Sequence, residues 1–424
     1  MNEPIENCEA AGRYLETLIN LEKQPELTAA RMSLQPIRAL LDRLGKPEQG
    51  IEVIHVAGSK GKGSTCLFAE SALTAAGKRV GVFTSPHLHS WTERFRIGGR
   101  DVDGSALAKA VTQLRPHVEW LRDNDPENAP TFFDATTAAA LLIFAEAHLD
   151  YAVLEVGLGG RLDSTNIVMP RVTCITSIEL EHTDKLGTTL AAIAGEKAGI
   201  IKPRVPCVIG RLAPEAERVI RDRARELGAP VLRLGVDFPS LDPSELTVLG
   251  RHQADNAAIA LAAIGLLGEP DLGGFLAAAR TGIADTRLPG RLEVLGDDPW
   301  VIVDGAHTRA SACALAEILA ECEFDRATLL LSVSGGKDLA AILDALLPQV
   351  DEVVVTRAEP HRSLPAEELA QAIRTIDPSI AVRVIPDPQK AAREARRTTG
   401  PGQLLVAAGS IYLAAAARSE WKKP

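Results

Sequence analysis

The sequence is poor in paired cysteines, in excess basic charge and in long apolar runs. Its six cysteines, Cys8, Cys66, Cys174, Cys207, Cys313 and Cys322, are dispersed and form no CxxC pair. That pattern argues against a structural zinc site and against a disulfide framework, leaving reduced, mostly buried thiols. Lys and Arg number 46 against 56 Asp and Glu, a net charge of −10. Broad nucleic-acid affinity needs a basic face, so no nucleic-acid partner is expected and any anionic ligand must be held by a local site. No apolar run approaches the roughly 20 residues of a membrane span, so no membrane partner is expected either. The opening MNEPIENCEA is acidic and has no basic segment followed by an apolar one, from which a cytoplasmic protein is expected. Internal repeats and low-complexity segments are also missing, and the charged run AAREARR reads as a solvated helix face.

The chain has 424 residues, 46% of them hydrophobic, enough for two or three domains with cores of their own. Short β-rich runs (IEVIHVAG, RVGVFTS, YAVLEVG, RVTCITSI, VPCVIG) alternate with alanine-rich helical stretches such as STCLFAESALTAAG. The alternation predicts an α/β protein with a mostly parallel sheet and crossover helices. ADTRLPGRLEVLGDDPW, 284 to 300, interrupts a helical region with Pro and Gly, and beyond it the alternation restarts with WVIVDGAH, ATLLLSVSGG, DEVVVTRA, AVRVIPD and QLLVAAGS. Two domains follow, 1–287 and a smaller α/β domain over 288–424.

HVAGSKGKGS, 55 to 64, stands between a predicted strand and a predicted helix. Gly58, Ser59, Lys60, Gly61 and Gly63 allow backbone N–H groups to converge on phosphate oxygens, the helix N-terminus adds a favourable dipole, and Lys62 adds charge. Ser64 or Thr65 can reach Mg²⁺. A glycine turn with incidental lysines is outweighed by the strand–turn–helix context. The spacing departs from the common P-loop, because no glycine stands four residues before the Gly61-Lys62 pair.

Three further strings carry polar residues to the ends of elements. LEVGLGGRLDSTN, 154 to 166, puts Glu155 at a strand end before a glycine-rich loop, either as a Mg²⁺ ligand or as a capping or ion-paired carboxylate. SIELEHTDKLG, 177 to 187, ends an apparent strand with His182, and EKAGIIKP, 196 to 203, places Lys197 on a short helix. Taken alone, His182 reads as a satisfied polar residue and Lys197 as a solvated one.

Together these strings resemble a known family. The turn has the form G-[ST]-x-G-K-G-[ST] of the Mur-ligase superfamily, and LEVGLGGRLDxTN, [DE]HxxxLG and EKAGI occur in this order in its folate branch, the folylpolyglutamate and dihydrofolate synthases. The resemblance implies an N-terminal Mur-ligase-type P-loop ATPase domain with a mostly parallel sheet and a Rossmann-like C-terminal glutamate ligase domain. It implies ATP and two Mg²⁺ ions, with Glu155 bridging the ions, His182 on the second, and Lys197 carbamylated into an oxygen ligand. Ser64 and Ser85, the latter in TSPHL, would face metal, with Ser85 also facing substrate. His87 belongs to the same loop. By the same resemblance Asn256 in GRHQADNAAIALAAI lies against the adenine, Arg291 in LPGRLEV reaches the ATP phosphates, Asp304 in VDGAHT takes the ribose hydroxyls, and His307 stands near the incoming glutamate.

The acceptor would be a folate or dihydropteroate, bound on the side of Leu162, Asp163 and Ser164 and of TFFDATTAAA. There Phe132 and Phe133 either stack on the ligand or belong to the core, and Asp134 stands where Glu is usual. The expected reaction is ATP-dependent addition of L-glutamate through an acyl phosphate by a monomeric enzyme. Lys62, Lys197, His182, Arg291 and His307 are its expected catalytic residues.

Only 57 residues precede Gly58, too few for the nucleotide-sugar-binding domain of the cell-wall ligases. The chain departs from the family at Lys60, where Asn is usual, and at Thr308 and Arg309, where DGAHNP is usual. NLEKQPELTAARMS, 20 to 33, does not match the I-D-L-G segment of enzymes that also use dihydropteroate, which favours polyglutamylation. The competing readings are a superfamily ligase for a non-folate carboxylate, a non-catalytic nucleotide-binding paralog, and a plain P-loop NTPase.

Overall fold

The computed structural model describes residues 4–20 and 32–421. Residues 21–31, the greater part of NLEKQPELTAARMS, lie outside that range.

Among the described residues the chain divides into two units. The first runs to Glu245 and resumes over Gln253–Thr286, and the second holds Leu246–His252 and continues from Arg287. In the first unit β1 (Val53–Ala57), β2 (Val80–Phe83), β3 (Phe95–Ile97), β4 (Arg100–Asp101), β5 (Tyr151–Glu155), β6 (Val172–Ile175), β7 (Cys207–Ile209) and β8 (Val231–Arg233) form an eight-stranded sheet. Their order is β4-β3-β2-β5-β1-β6-β7-β8. All pairings from β2 through β8 are parallel, and β3 and β4 add an antiparallel edge.

Every residue of β1 is buried, as expected of a central parallel strand covered on both faces. Helix Lys62–Ala75 follows β1 and packs on helix Leu272–Ala284. Gly282 allows that approach, because a Cβ there would stand 2.3 Å from the Ser71 carbonyl oxygen. Helices Gly104–Asn124 and Phe132–Ala147 build a core with Leu107, Val111, Leu141 and Phe144.

The second unit contains β9 (Glu293–Asp297), β10 (Trp300–Val303), β11 (Arg326–Leu331), β12 (Glu352–Val355), β13 (Ala381–Val384) and β14 (Gln403–Ala408). The order β13-β12-β11-β14-β10-β9 is parallel except for the β10–β9 hairpin. The Pro- and Gly-rich stretch 284–300 therefore contains β9, which sequence alone left unassigned. No helix of the described residues is long and apolar enough to cross a membrane.

Candidate active site

The site lies at the C-terminal ends of β1, β5 and β6, where an open parallel sheet offers a crevice. Gly61 caps the helix Lys62–Ala75 in the left-handed region at φ 81, and a Cβ there would stand 2.3 Å from Asn256 Oδ1. Only glycine meets both demands. Gly58 is equally confined, since a Cβ would fall 1.9 Å from Thr176 Oγ1. The turn is stitched to the segment after β6: Ser59 N–H donates to the Ser177 carbonyl (2.8 Å), Lys60 N–H to Ser177 Oγ (2.9 Å), and Glu179 N–H to Ser59 Oγ (2.9 Å).

Two lysines converge on one oxygen. Lys62 Nζ donates to the Gly58 carbonyl at 2.9 Å, and Lys197 Nζ, from helix Leu190–Ala198, donates to the same carbonyl at 3.0 Å. Lys197 is 1% exposed and is paired at 2.8 Å with Glu181 Oε1. Burial, reinforced by the Lys62 ammonium and opposed by Glu181, pulls Lys197 down to about 8. Burial alone would raise Glu181, but the charges of Lys197 and Lys62 hold it below the usual carboxylate range. Gly58, Lys62, Glu181, His182 and Lys197 line one polar cavity, whose wall is 156–159.

His182 does not end a strand as its string suggested. β6 stops at Ile175, and His182 occupies the left-handed region (φ 44) as N-cap of the short helix Thr183–Leu186. The irregular run between them is what carries Glu179 and Glu181 to the turn. Glu181, absent from the residues expected at the site, lies in SIELEHTDKLG, and its place beside His182 is the signal the sequence offers for it.

Glu155, at the end of β5, is 4% exposed and accepts the Ser85 N–H through Oε2 at 3.0 Å. That bond ties TSPHL to the C-terminal end of β5, an interior strand of the sheet. Ser64 and Thr65 are buried in the first turn of their helix. No group of three His, Cys, Asp or Glu able to hold a metal occurs among the described residues.

An apolar pocket adjoins the polar cavity, lined by Phe132, Phe133, Leu158 and Leu162 with Asp134, Asp163 and Ser164 among its polar residues. Gly157 and Leu158 border both. Phe132 is buried edge-on to Trp91, whereas Phe133 is half-buried and tilted against Phe83. The carboxylates are already occupied by protein donors. Asp134 accepts from Thr131 N–H and Oγ1 in a capping box and from Ser164 Oγ at 2.7 Å. Burial raises it, and burial pushes Asp163 up to about 6 against the amide of Leu158 and the hydroxyl of Thr165.

Asn256 is bonded to Gln253 at 3.0 Å and packs on Gly61, and the Lys60 charge acts on Glu179. In the second unit Asp304 accepts Leu292 N–H and Ala306 N–H, each at 2.7 Å. Its carboxyl is pushed up to about 6 by burial, with the Arg291 charge opposing. His307 Nδ1–H donates to the Gly305 carbonyl at 2.7 Å, because a carbonyl oxygen can only accept. Thr308 caps helix Arg309–Glu321 through a box with Ser311, a structural use for one departure from the family string, while Arg309 is exposed.

Residues 56–237 match the Mur ligase middle domain and residues 290–411 the glutamate ligase domain of Mur ligases. A probable bifunctional folylpolyglutamate synthase/dihydropteroate synthase of Halobacterium salinarum is 36% identical over 91% of the chain; the chain spans about half the length of that relative (49%). The folylpolyglutamate synthase of Lacticaseibacillus casei is 31% identical, with 96% of this chain and 98% of that one covered. Among solved structures, Mycobacterium tuberculosis folylpolyglutamate synthase with ADP superposes with a TM-score of 0.84 at 34% identity, covering 95% of this chain and 98% of that one. E. coli FolC with DHPP and ADP gives 0.83 at 31% identity, covering 98% and 97%. The Yersinia pestis bifunctional folylpolyglutamate synthase/dihydrofolate synthase with AMPPNP and a Mn ion gives 0.82 at 32% identity, covering 99% of each chain.

Proposed function

Because the chain belongs to the folylpolyglutamate synthase/dihydrofolate synthase family of Mur ligases, we propose that it joins L-glutamate to a folate or dihydropteroate carboxylate at the expense of ATP. The observation that carries this reading is the shared wall: a polar cavity with two lysines and an apolar pocket with aromatic faces meet at Gly157 and Leu158. Carboxyl activation needs a phosphate site and a flat-ring site side by side, with the reacting oxygen between them.

In this reading the turn 58–64 binds the ATP phosphates through backbone N–H groups, and Lys62 leaves the Gly58 carbonyl to neutralise charge on the transferred phosphoryl. The acceptor carboxylate attacks the γ-phosphorus, the P–O bond to ADP breaks, and an acyl phosphate forms. The glutamate amine then adds to the acyl carbon, loses a proton and expels phosphate. In this reading His307 would act on the incoming glutamate, and Asp304 and Arg291 on the nucleotide.

In this reading Glu155, His182 and Ser64 would hold Mg²⁺, with a carbamate on Lys197 as a further oxygen donor. Bound there, the ion would offset anionic charge on the phosphates. Carbamylation requires the neutral amine of Lys197: its nitrogen bonds to the carbon of CO₂ and releases one proton. A group pulled down to about 8 presents that amine near neutral pH. Intact-mass measurement under non-denaturing conditions should show an added CO₂ that is lost on acidification.

The test of function is direct. With ATP, Mg²⁺, glutamate and tetrahydrofolate or dihydropteroate, the purified protein should release ADP and yield a product heavier by one glutamyl unit. Absence of any such product with both acceptors overturns the assignment.

A further inference from the structure

β1 carries one polar side chain in an otherwise apolar run, His55, and it is fully buried. Its Nε2 lies 2.8 Å from Thr165 Oγ1, whose hydroxyl also contacts Asp163 Oδ1. Asp163 accepts at both oxygens, from Thr165 N–H (3.0 Å) and from Leu158 N–H (2.9 Å). A carboxylate can only accept, so Thr165 gives its single proton to Asp163 and must accept one from His55. The chain of bonds therefore fixes His55 as the Nε2–H tautomer. Burial and the Lys202 charge keep the ring neutral. The other ring nitrogen, Nδ1, is buried with no hydrogen-bond partner among the described residues.

An imidazole with one orphan nitrogen is a costly occupant of a strand whose neighbours are Val53, Ile54, Val56 and Ala57. An apolar residue would suit β1 better if packing were the only requirement. The bonds instead lead from the strand that delivers the phosphate-binding turn, through Thr165 and Asp163, to the Leu158 amide. Leu158 belongs to the wall between the polar cavity and the apolar pocket.

We propose that His55 is a positioning residue: through Thr165 and Asp163 it holds the 157–164 loop in register with β1, so that the acceptor pocket is aligned to the phosphate site. The proposal rests on the ligase reading above. His55 touches no substrate; it acts through the wall.

The test compares His55→Leu and Thr165→Val, which remove a link, with His55→Gln and Thr165→Ser, which keep one. The first pair should raise KM for tetrahydrofolate about tenfold and KM for ATP by less, and the second pair should stay within about threefold of the parent. A merely structural role would lower the unfolding temperature of both broken variants and leave both KM values within about twofold, which overturns the proposal. Thr165→Val nearly preserves shape, so it answers the question even where His55→Leu fails to fold. Nitrogen-15 spectra of the labelled histidines give a readout independent of turnover. A neutral Nε2-protonated His55 in the parent chain supports the proposal, and an Nδ1-protonated or charged ring overturns it. If the parent chain adds no glutamate to tetrahydrofolate or dihydropteroate, the ligase reading fails and the spectra still decide the bond chain.

Discussion

Lys197 and Glu181 form an ion pair of 2.8 Å in which the lysine side chain is 2% exposed and the carboxylate 18%. The asymmetry matters. The lysine has surrendered nearly all its water, while the glutamate keeps some, so the pair is held mainly for the benefit of the buried ammonium.

Glu181→Ala should therefore act first on Lys197. With its counter-charge gone, the ammonium is stabilised only by the Gly58 carbonyl. Lys197 should titrate below about 8, and urea unfolding at pH 7 should show a loss of about 1–3 kcal/mol. The upper range for a broken buried pair is not expected, because the amine can shed its proton. Lys197→Ala should lose ligation by at least about a hundredfold while ADP affinity stays within about tenfold, read by product mass and by titration calorimetry.

Gly61→Ala should weaken ATP binding by about tenfold or more, because the left-handed conformation and the Asn256 side chain both oppose a Cβ. Adding Asn256→Ala removes the clash but not the backbone cost. The double variant should recover only part of the affinity, measured as Kd for ATP. Full recovery would show that φ at this position is not under constraint.

The two adjacent phenylalanines should separate in their effects. Phe132→Ala removes a buried ring that packs on Trp91 and should cost about 3–5 kcal/mol of stability. Phe133→Ala, from a half-buried ring facing the pocket, should cost less in unfolding and more in KM for the acceptor. Equal behaviour in both assays would remove the distinction.

Asp304 gives a pH signature in the second unit. Its ordinary value is 3.8 and the folded chain raises it to about 6. Between those values the folded state binds the proton more tightly than the unfolded state. The contribution of Asp304 to stability thus falls as pH rises from about 4 to about 6 and is fully lost above that. Asp304→Asn cannot titrate, so its stability should change less over this window than that of the parent chain. Denaturant curves at a series of pH values check the sign.

Much of the architecture was legible because it is written locally. The β-branched runs, the alanine-rich helices and the glycine turn at 58–63 each declare themselves within a dozen residues, and Glu155 stands at the end of β5 as its string requires. What was not legible depends on contacts across the chain. Glu181 becomes a site residue only because Lys197 folds back onto it, and Asn256 matters to Gly61 only through a long-range approach. SIEL has strand-like residues and predicts a strand that ends at His182; the bonds of Ser177 and Glu179 to the turn 58–64 break that strand early. The short antiparallel β3 and β4 carry too few residues to show a period. Whether Phe132 and Phe133 were core or ligand-facing could not be settled by periodicity, since adjacent helix positions differ by 100° in direction.

The carbonyl of Gly58 has two lone pairs, and two ammonium groups occupy them. An anion that draws Lys62 forward leaves Lys197 as the remaining donor to that oxygen and removes a neighbouring positive charge, so Lys197 grips its own proton harder. Lys62 and Lys197, on different helices, are thereby made to sense the same event through a single atom. Nucleotide occupancy and the chemical state of the deeper lysine become one coupled variable, and titrating either side alone will report on both.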